Sequence, residues 1–136
     1  MALRVELKPG ERIIIGQSVV TNGDHRARLL IDGEAPILRE KDIMTMSEAD
    51  TPCKRIYLIV QLMYLTGNPQ KQQDLYLELV DEVVKAAPST LPYIESISAH
   101  IAANALYRAL KETRTLIGYE TELMARARAG TASPAA

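Results

Sequence analysis

The stretch LRVELKPGERIIIG, residues 3–16, decides how the first part of the chain folds. Apolar residues at positions 3, 5 and 7 alternate with charged residues at positions 4, 6 and 8. This period of two predicts a half-buried β-strand. Pro9-Gly10 predicts a turn, and the apolar run that ends at Gly16 predicts a second short strand.

The strand pattern continues to about residue 46. In SVVTNGDHRARLLI, residues 18–31, Asn22-Gly23 separates two apolar runs, and this dipeptide is the strongest short hairpin signal. Asp32-Gly33 predicts another turn. Pro36 restricts the following strand to a sheet edge, because proline cannot donate to a ladder. Five short strands predict a small antiparallel sheet or sandwich, which should pack on the rest of the chain or on a second copy.

The apolar pattern becomes helical after Met46. Thr51 and Pro52 predict the N-cap and first position of a helix that ends at Gly67. Asn68-Pro69 predicts the start of a second helix.

The second predicted helix has an apolar stripe of Leu75, Leu79 and Val83. A third helical region runs from Leu91 into the 120s, and its length predicts either a break near Gly118 or an end that packs on a partner.

The predicted fold class is therefore α+β, with a small N-terminal antiparallel β-sheet and a C-terminal bundle of about three helices. We expect a β-domain over residues 1–46, a helical domain over 47–128 and a disordered tail over 129–136.

Composition excludes several classes of protein. The chain has 136 residues, 47% apolar content and a net charge of -1, which predicts a globular protein with weak non-specific affinity for nucleic acid. Its single cysteine, Cys53, excludes an intramolecular disulfide. The first residues hold no apolar signal segment, and no apolar run is long enough to cross a bilayer. We expect a cytoplasmic protein without a membrane partner.

Residues suited to catalysis are sparse. His25 and His100 lie far apart in the sequence and have no metal-ligand spacing, and Cys53 has no base implied beside it. No phosphate-binding loop or nucleophile motif is present. We expect no enzyme activity, no cofactor and no metal.

The basic residues of the strand region suggest a binding surface. Arg26 and Arg28 are two residues apart on one predicted strand, as are Arg39 and Lys41 on the next. Arg4 and Lys8 would lie along one sheet edge. Such edges could clamp a single-stranded segment, or the acidic neighbours Asp24, Glu40 and Asp42 could pair with these cations as a solvated surface. All six tyrosines lie in the helical region, so base stacking on strands is not expected.

The segments LRVELKPGERIIIGQSVVTNGDHRARLLIDGEAPILREKDIMT, ADTPCKRIYLIVQLMYLTGNP and AAPS resemble the FlbT family of flagellin-biosynthesis regulators. The resemblance extends to about residue 125. It implies post-transcriptional control of flagellin synthesis at the 5′ untranslated region of flagellin mRNA. It also implies FlaF, a companion regulator, and flagellin itself as partners.

The first 45 residues have a weaker resemblance to the CsrA/RsmA family of RNA-binding proteins. It rests on Gly10-Glu11, IIIG, RLLI, Ala35-Pro36 and Arg39-Glu40. In that family RNA lies between the first and last strands, which implies Arg39 as the principal RNA-binding residue. The wider implied set is Lys8, Arg4, Val5, Leu38, Lys41 and Arg28. Leu7 replaces a family arginine, Leu38 replaces a histidine, and the segment between Gly16 and Arg28 is shorter.

Two functions remain open from the sequence. The first is a translational regulator that binds the flagellin mRNA leader through residues 3–8 and 37–42. The second is a protein-interaction module or chaperone-like co-regulator that binds FlaF or flagellin through its helices. In both cases we expect a homo-oligomer.

Overall fold

The structure is a computed structural model that describes residues 2–132. It divides into two compact units. The first comprises the chain up to Ile43 together with Leu65–Gly67, and the second comprises Met44–Tyr64 and the chain from Asn68 onward. The strands are β1 Leu3–Leu7, β2 Arg12–Ile15, β3 Ser18–Thr21, β4 Ala27–Ile31 and β5 Ile37–Arg39. The helices are α1 Pro52–Thr66, α2 Gln73–Ala86, α3 Leu91–Ala102 and α4 Leu106–Ala132.

The five strands form two small antiparallel sheets. One has the order β1-β4 and the other the order β3-β2-β5. The register pairs Val5 with Leu29 in the first sheet and Ile13 with Arg39 in the second. The prediction of a small antiparallel β-structure followed by helices is confirmed.

Asn22-Gly23 does not form the predicted hairpin, because β3 pairs with β2 and β4 pairs with β1. The dipeptide instead leads the chain from one sheet to the other. The Nδ2 group of Asn22 donates to the carbonyls of Leu7, Lys8 and His25 at 3.2, 2.9 and 2.8 Å. A side chain that satisfies three carbonyls holds this crossing in place, and tertiary contacts therefore override the local turn preference.

The core of the β-unit draws on both sheets. Val5, Leu7 and Ile13 are buried and pack with partly buried side chains of β2, β4 and β5. The residues of β1 that alternate with Val5 and Leu7 are Arg4 and Glu6, and both are exposed. The period of two thus determines which face of β1 meets the core and which carries charge.

The start of α1 agrees with the sequence. The Thr51 hydroxyl accepts a hydrogen bond of 3.2 Å from the backbone N–H of Lys54, the third helical residue. Pro52 occupies the first helical position.

The second predicted helix begins later than expected. Pro69–Gln72 form a 3₁₀ turn, and α2 starts at Gln73. Its buried stripe consists of Tyr76, Leu79 and Val83, whereas Leu75 is 45% exposed. The prediction of Leu75 as a stripe residue was wrong, because the helix is rotated so that Tyr76 faces inward.

The third predicted helical region is two helices, so the helical unit has four rather than about three. The break lies at Asn104, which has φ of +57°, and α4 continues through Gly118. The N–H of Ala105 donates to His100 and that of Asn104 to Ile101, the pattern of a Schellman motif. The predicted break near Gly118 was wrong. Helix α4 reaches Ala132, within the predicted tail, and residues 133–136 lie outside the described residues.

Tyrosines join the helices of the second unit. The rings of Tyr93 and Tyr119 stack at 4.8 Å, and those of Tyr64 and Tyr107 lie 5.6 Å apart. The Tyr76 hydroxyl lies 2.8 Å from Ser98 Oγ. These rings stabilise helix packing. Within residues 2–132, no helix combines the length and apolarity needed to cross a bilayer.

Candidate nucleic-acid interface

Arg39 ends the edge strand β5 and is exposed. It stands opposite Ile13, which is fully buried in β2, so the strand register places its backbone at the margin of the core. Within residues 2–132, the Arg39 side chain makes no ion pair or hydrogen bond. Its guanidinium group is therefore available to a ligand.

One open depression of about 430 Å³ connects Arg39 with β1 and β4. Its lining consists of Arg4, Glu6, Arg28 and Arg39. Arg28 Nη2 lies 3.4 Å from Glu6 Oε1, and both side chains are more than 60% exposed. An exposed pair of this kind contributes about 0–1 kcal/mol, so an anionic ligand can displace it.

A second open depression, of about 490 Å³, lies on the other side of Arg39. Its lining is Lys8, Pro9, Gly10, Glu11, Arg39, Glu40 and Lys41. The two depressions share Arg39 and together hold five basic and three acidic side chains. This surface, which we call the Arg39 surface, is locally positive in a chain whose net charge is -1.

The acidic neighbours of Arg39 are engaged elsewhere. Glu40 Oε1 lies 3.2 Å from Arg12 Nε and also accepts the backbone N–H of Arg12 at 3.4 Å. Glu11 accepts the backbone N–H of Lys8 at 2.9 Å. The interpretation that Glu40 neutralises Arg39 is therefore not what the structure shows, because Glu40 bonds to β2.

The segment after β5 differs from the sequence expectation in two ways. Lys41 does not share a strand face with Arg39, because Glu40–Asp42 form a 3₁₀ turn. The turn nevertheless places Lys41 in the same depression as Arg39. Asp42 is buried rather than solvated, with 7% of its surface exposed.

Two apolar members of the predicted RNA-binding set have buried side chains. Val5 and Leu38 are each 1% exposed. Any contact they make with a ligand would have to use the backbone, because their side chains belong to the interior. The structure brings Arg4, Arg28 and Arg39 together around one depression and Lys8, Arg39 and Lys41 around the other.

Two acidic side chains of these depressions, Glu6 and Glu11, were not in the predicted set. Their alternation with Val5 and Leu7, and the turn at Pro9-Gly10, are sequence signals that could have placed them beside the cations. Among residues 2–132, no cluster of three or more histidine, cysteine or acidic side chains could hold a metal ion.

Comparison with known proteins gives the family. The model of the family "Flagellar protein FlbT" matches residues 3–124. The chain belongs to the FlbT family. The match covers all five strands, α1 to α3 and most of α4.

Several curated family members are similar over nearly their whole length. A Bradyrhizobium diazoefficiens protein, "Probable flagellum biosynthesis repressor protein FlbT 1", is 59% identical over 90% of this chain and 85% of its own. A Rhodopseudomonas palustris relative of the same description is 58% identical over 93% of this chain and 100% of its own. The Caulobacter vibrioides "Flagellum biosynthesis repressor protein FlbT" is 36% identical, covering 96% and 94%. No solved structure matches the chain.

Proposed function

We propose that this chain is a non-enzymatic repressor of flagellum biosynthesis that binds the 5′ untranslated region of flagellin mRNA. The names of its relatives support the repression of flagellum biosynthesis. The resemblance of its strand region to RNA-binding regulators supports RNA as the ligand. The structural observation that carries the proposal is Arg39, exposed and unpaired within residues 2–132, at the meeting point of two basic depressions.

The Arg39 surface suits a single-stranded ligand. A guanidinium group offers a planar set of donors that can bind a phosphate or a base edge through two parallel hydrogen bonds. Arg4 and Arg28 on one side and Lys8 on the other would contact the sugar-phosphate backbone as it passes Arg39. Both depressions are open to solvent, so a flexible strand can follow them in sequence.

Repression would follow from occupancy of the leader. A protein held on the 5′ untranslated region blocks ribosome access when its site overlaps the start region. The Arg39 surface would supply the affinity, and Arg39 itself would contact a base edge. Loss of such a bidentate contact costs about 1–3 kcal/mol.

Titration of a labelled flagellin leader RNA tests the proposal. Arg39→Ala should weaken binding by about 5- to 150-fold, the equivalent of about 1–3 kcal/mol. Arg108→Ala, which removes an exposed arginine from α4, is the matched control and should retain the wild-type affinity. Equal affinity of wild type and Arg39→Ala would refute the assignment of Arg39.

A second candidate function is supported by the helical unit. An open cavity of about 370 Å³ is lined by apolar residues of α1, α2 and α3 and by carboxamides, with no charged side chain. Its lining includes Met63, Leu77 and Ile101. A partner helix from FlaF or flagellin could insert an apolar side chain here, with the carboxamides bonding to its polar groups.

Co-purification separates the two candidates. Under the second one, FlaF or flagellin remains bound after RNase treatment and a high-salt wash, and Leu77→Lys releases it. Leu91→Lys is the control, because Leu91 is comparably exposed and lies outside the cavity lining. Retention by Leu77→Lys would exclude this cavity as the site.

A further inference from the structure

Strand β3 is an uncharged sheet edge. All four of its residues, Ser18–Thr21, are exposed, and Val19 has 61% of its side chain surface in solvent. The other three strands with a free edge each carry an arginine: Arg4 in β1, Arg28 in β4 and Arg39 in β5. Charges on edge strands prevent strand addition, and β3 lacks this protection.

The backbone of β3 has outward groups at defined positions. The N–H of Asn22 donates to Glu11, which lies on the β2 side of the strand. Since backbone groups alternate along a strand, Val20 and Ser18 also bond towards β2. The N–H and C=O groups of Val19 and Thr21 therefore point away from the sheet.

We propose that a second copy of this chain pairs with the β3 edge and forms a two-fold symmetric dimer. The two β3 strands would run antiparallel about an axis at Val20. In this register Val20 lies opposite the partner's Val20, and Val19 lies opposite the partner's Thr21. Each Val19–Thr21 pair exchanges two backbone hydrogen bonds, so the interface contains four.

The sequence of β3 favours its own copy as the occupant. A two-fold axis keeps side chains of equal parity on one face, so the symmetric registers centre on Val19 or Val20. Centring on Val19 would need Gln17 to pair with Thr21, but Gln17 lies in the turn between β2 and β3. Centring on Val20 uses only strand residues and places no charged side chain opposite another.

The dimer would leave the Arg39 surface open. It joins the two three-stranded sheets into one of six strands, in which β3 is internal and β5 forms each outer edge. Adjacent strands are about 4.8 Å apart, so the two β5 strands would be separated by about 24 Å. Dimerisation and RNA binding therefore use opposite edges, and the dimer inference does not depend on the RNA proposal.

Sedimentation of RNA-free protein across the micromolar concentration range is the test. We expect a dimer for wild type, with V20K and V20E each raising the dissociation constant by about tenfold or more, because like charges would face each other. An equimolar mixture of V20K and V20E should recover the dimer. A monomeric wild type, or unchanged association of both variants, would overturn the proposal.

Three controls keep the test specific. Leu30→Lys introduces the same charge at a side chain of 63% exposure on β4 and should leave the dimer intact. Thr21→Pro removes an outward N–H without a β2 bond, so it should weaken association even if V20K misfolds, and circular dichroism checks each variant. Under mild oxidation V20C should form a covalent dimer and V19C should not, because opposed residues in a non-hydrogen-bonded pair lie about 4.5 Å apart. Crosslinking of V19C alone would contradict the register.

Discussion

Glu120 of α4 accepts a hydrogen bond of 3.1 Å from the backbone N–H of Cys53 in α1. The other oxygen of this carboxylate accepts the hydroxyl of Thr51. In a capping box, an acid at the third helical position binds the N-cap residue, but α1 has Lys54 there. A residue from another helix thus supplies the negative charge that the N-terminus of α1 favours.

Replacing Glu120 should destabilise the helical unit. Glu120→Ala removes a charged acceptor from two donors, and we expect the free energy of unfolding to fall by about 1.5–3 kcal/mol in urea denaturation. Glu122→Ala removes an exposed acid of the same helix and should cost less than about 0.5 kcal/mol. Equal losses for both variants would mean that the α1 contacts of Glu120 contribute nothing.

The Cys53 thiol should make stability depend on alkaline pH. Burial is the main cause that raises the pKa of Cys53 above its ordinary value of 9.0, and the charge and hydrogen bond of Glu120 add to it. The folded state therefore retains a proton that the unfolded chain releases, so this contribution is complete below pH 9.0 and declines as pH rises. The stability difference between wild type and Cys53→Ala should shrink above this pH. A constant difference would contradict the assignment.

Asn22 should be sensitive to the loss of its donor. Asn22→Asp would place acceptor oxygens against the carbonyls of Leu7, Lys8 and His25. We expect a loss of about 1–3 kcal/mol, read from the unfolding of the β-unit. Asp24→Asn, an exposed change of opposite sign nearby, should have a small effect. A stable Asn22→Asp variant would show that the crossing is held by its backbone alone.

The left-handed conformation of Asn104 predicts opposite effects of two small residues. Asn104→Ala should destabilise by about 1 kcal/mol, because a side chain with Cβ is disfavoured at φ of +57°. Asn104→Gly should be neutral or stabilising, since glycine adopts this conformation freely. Thermal unfolding of both variants measures the difference, and the reverse order would refute the role of Asn104 as the end of α3.

The chemistry of Arg39 can be separated from its charge. Arg39→Lys keeps the cation but loses the planar pair of donors, so we expect most of the affinity loss of Arg39→Ala if Arg39 reads a base. If it contacts only phosphate, Arg39→Lys should retain affinity, and Arg39→Ala should lower the salt slope of binding by about 1. Titrations at several salt concentrations decide between these outcomes.

Regular patterns in the sequence predicted much of the fold. Alternation in β1 separated Val5 and Leu7 from Arg4, and Thr51-Pro52 located the start of α1. These features depend on neighbouring residues, which is why they can be read locally. The family resemblance was confirmed by the match over residues 3–124.

The sequence by itself determined the two regions of different periodicity and the cationic residues of the β-unit. Only the tertiary structure decided that Asn22-Gly23 crosses between sheets, that α3 ends at Asn104 and that Glu40 bonds Arg12 and leaves Arg39 unpaired. The reason is physical: strand pairing and ion pairing join residues far apart in the chain, such as Arg12 and Glu40, and local propensity carries no information about which distant partner is closest.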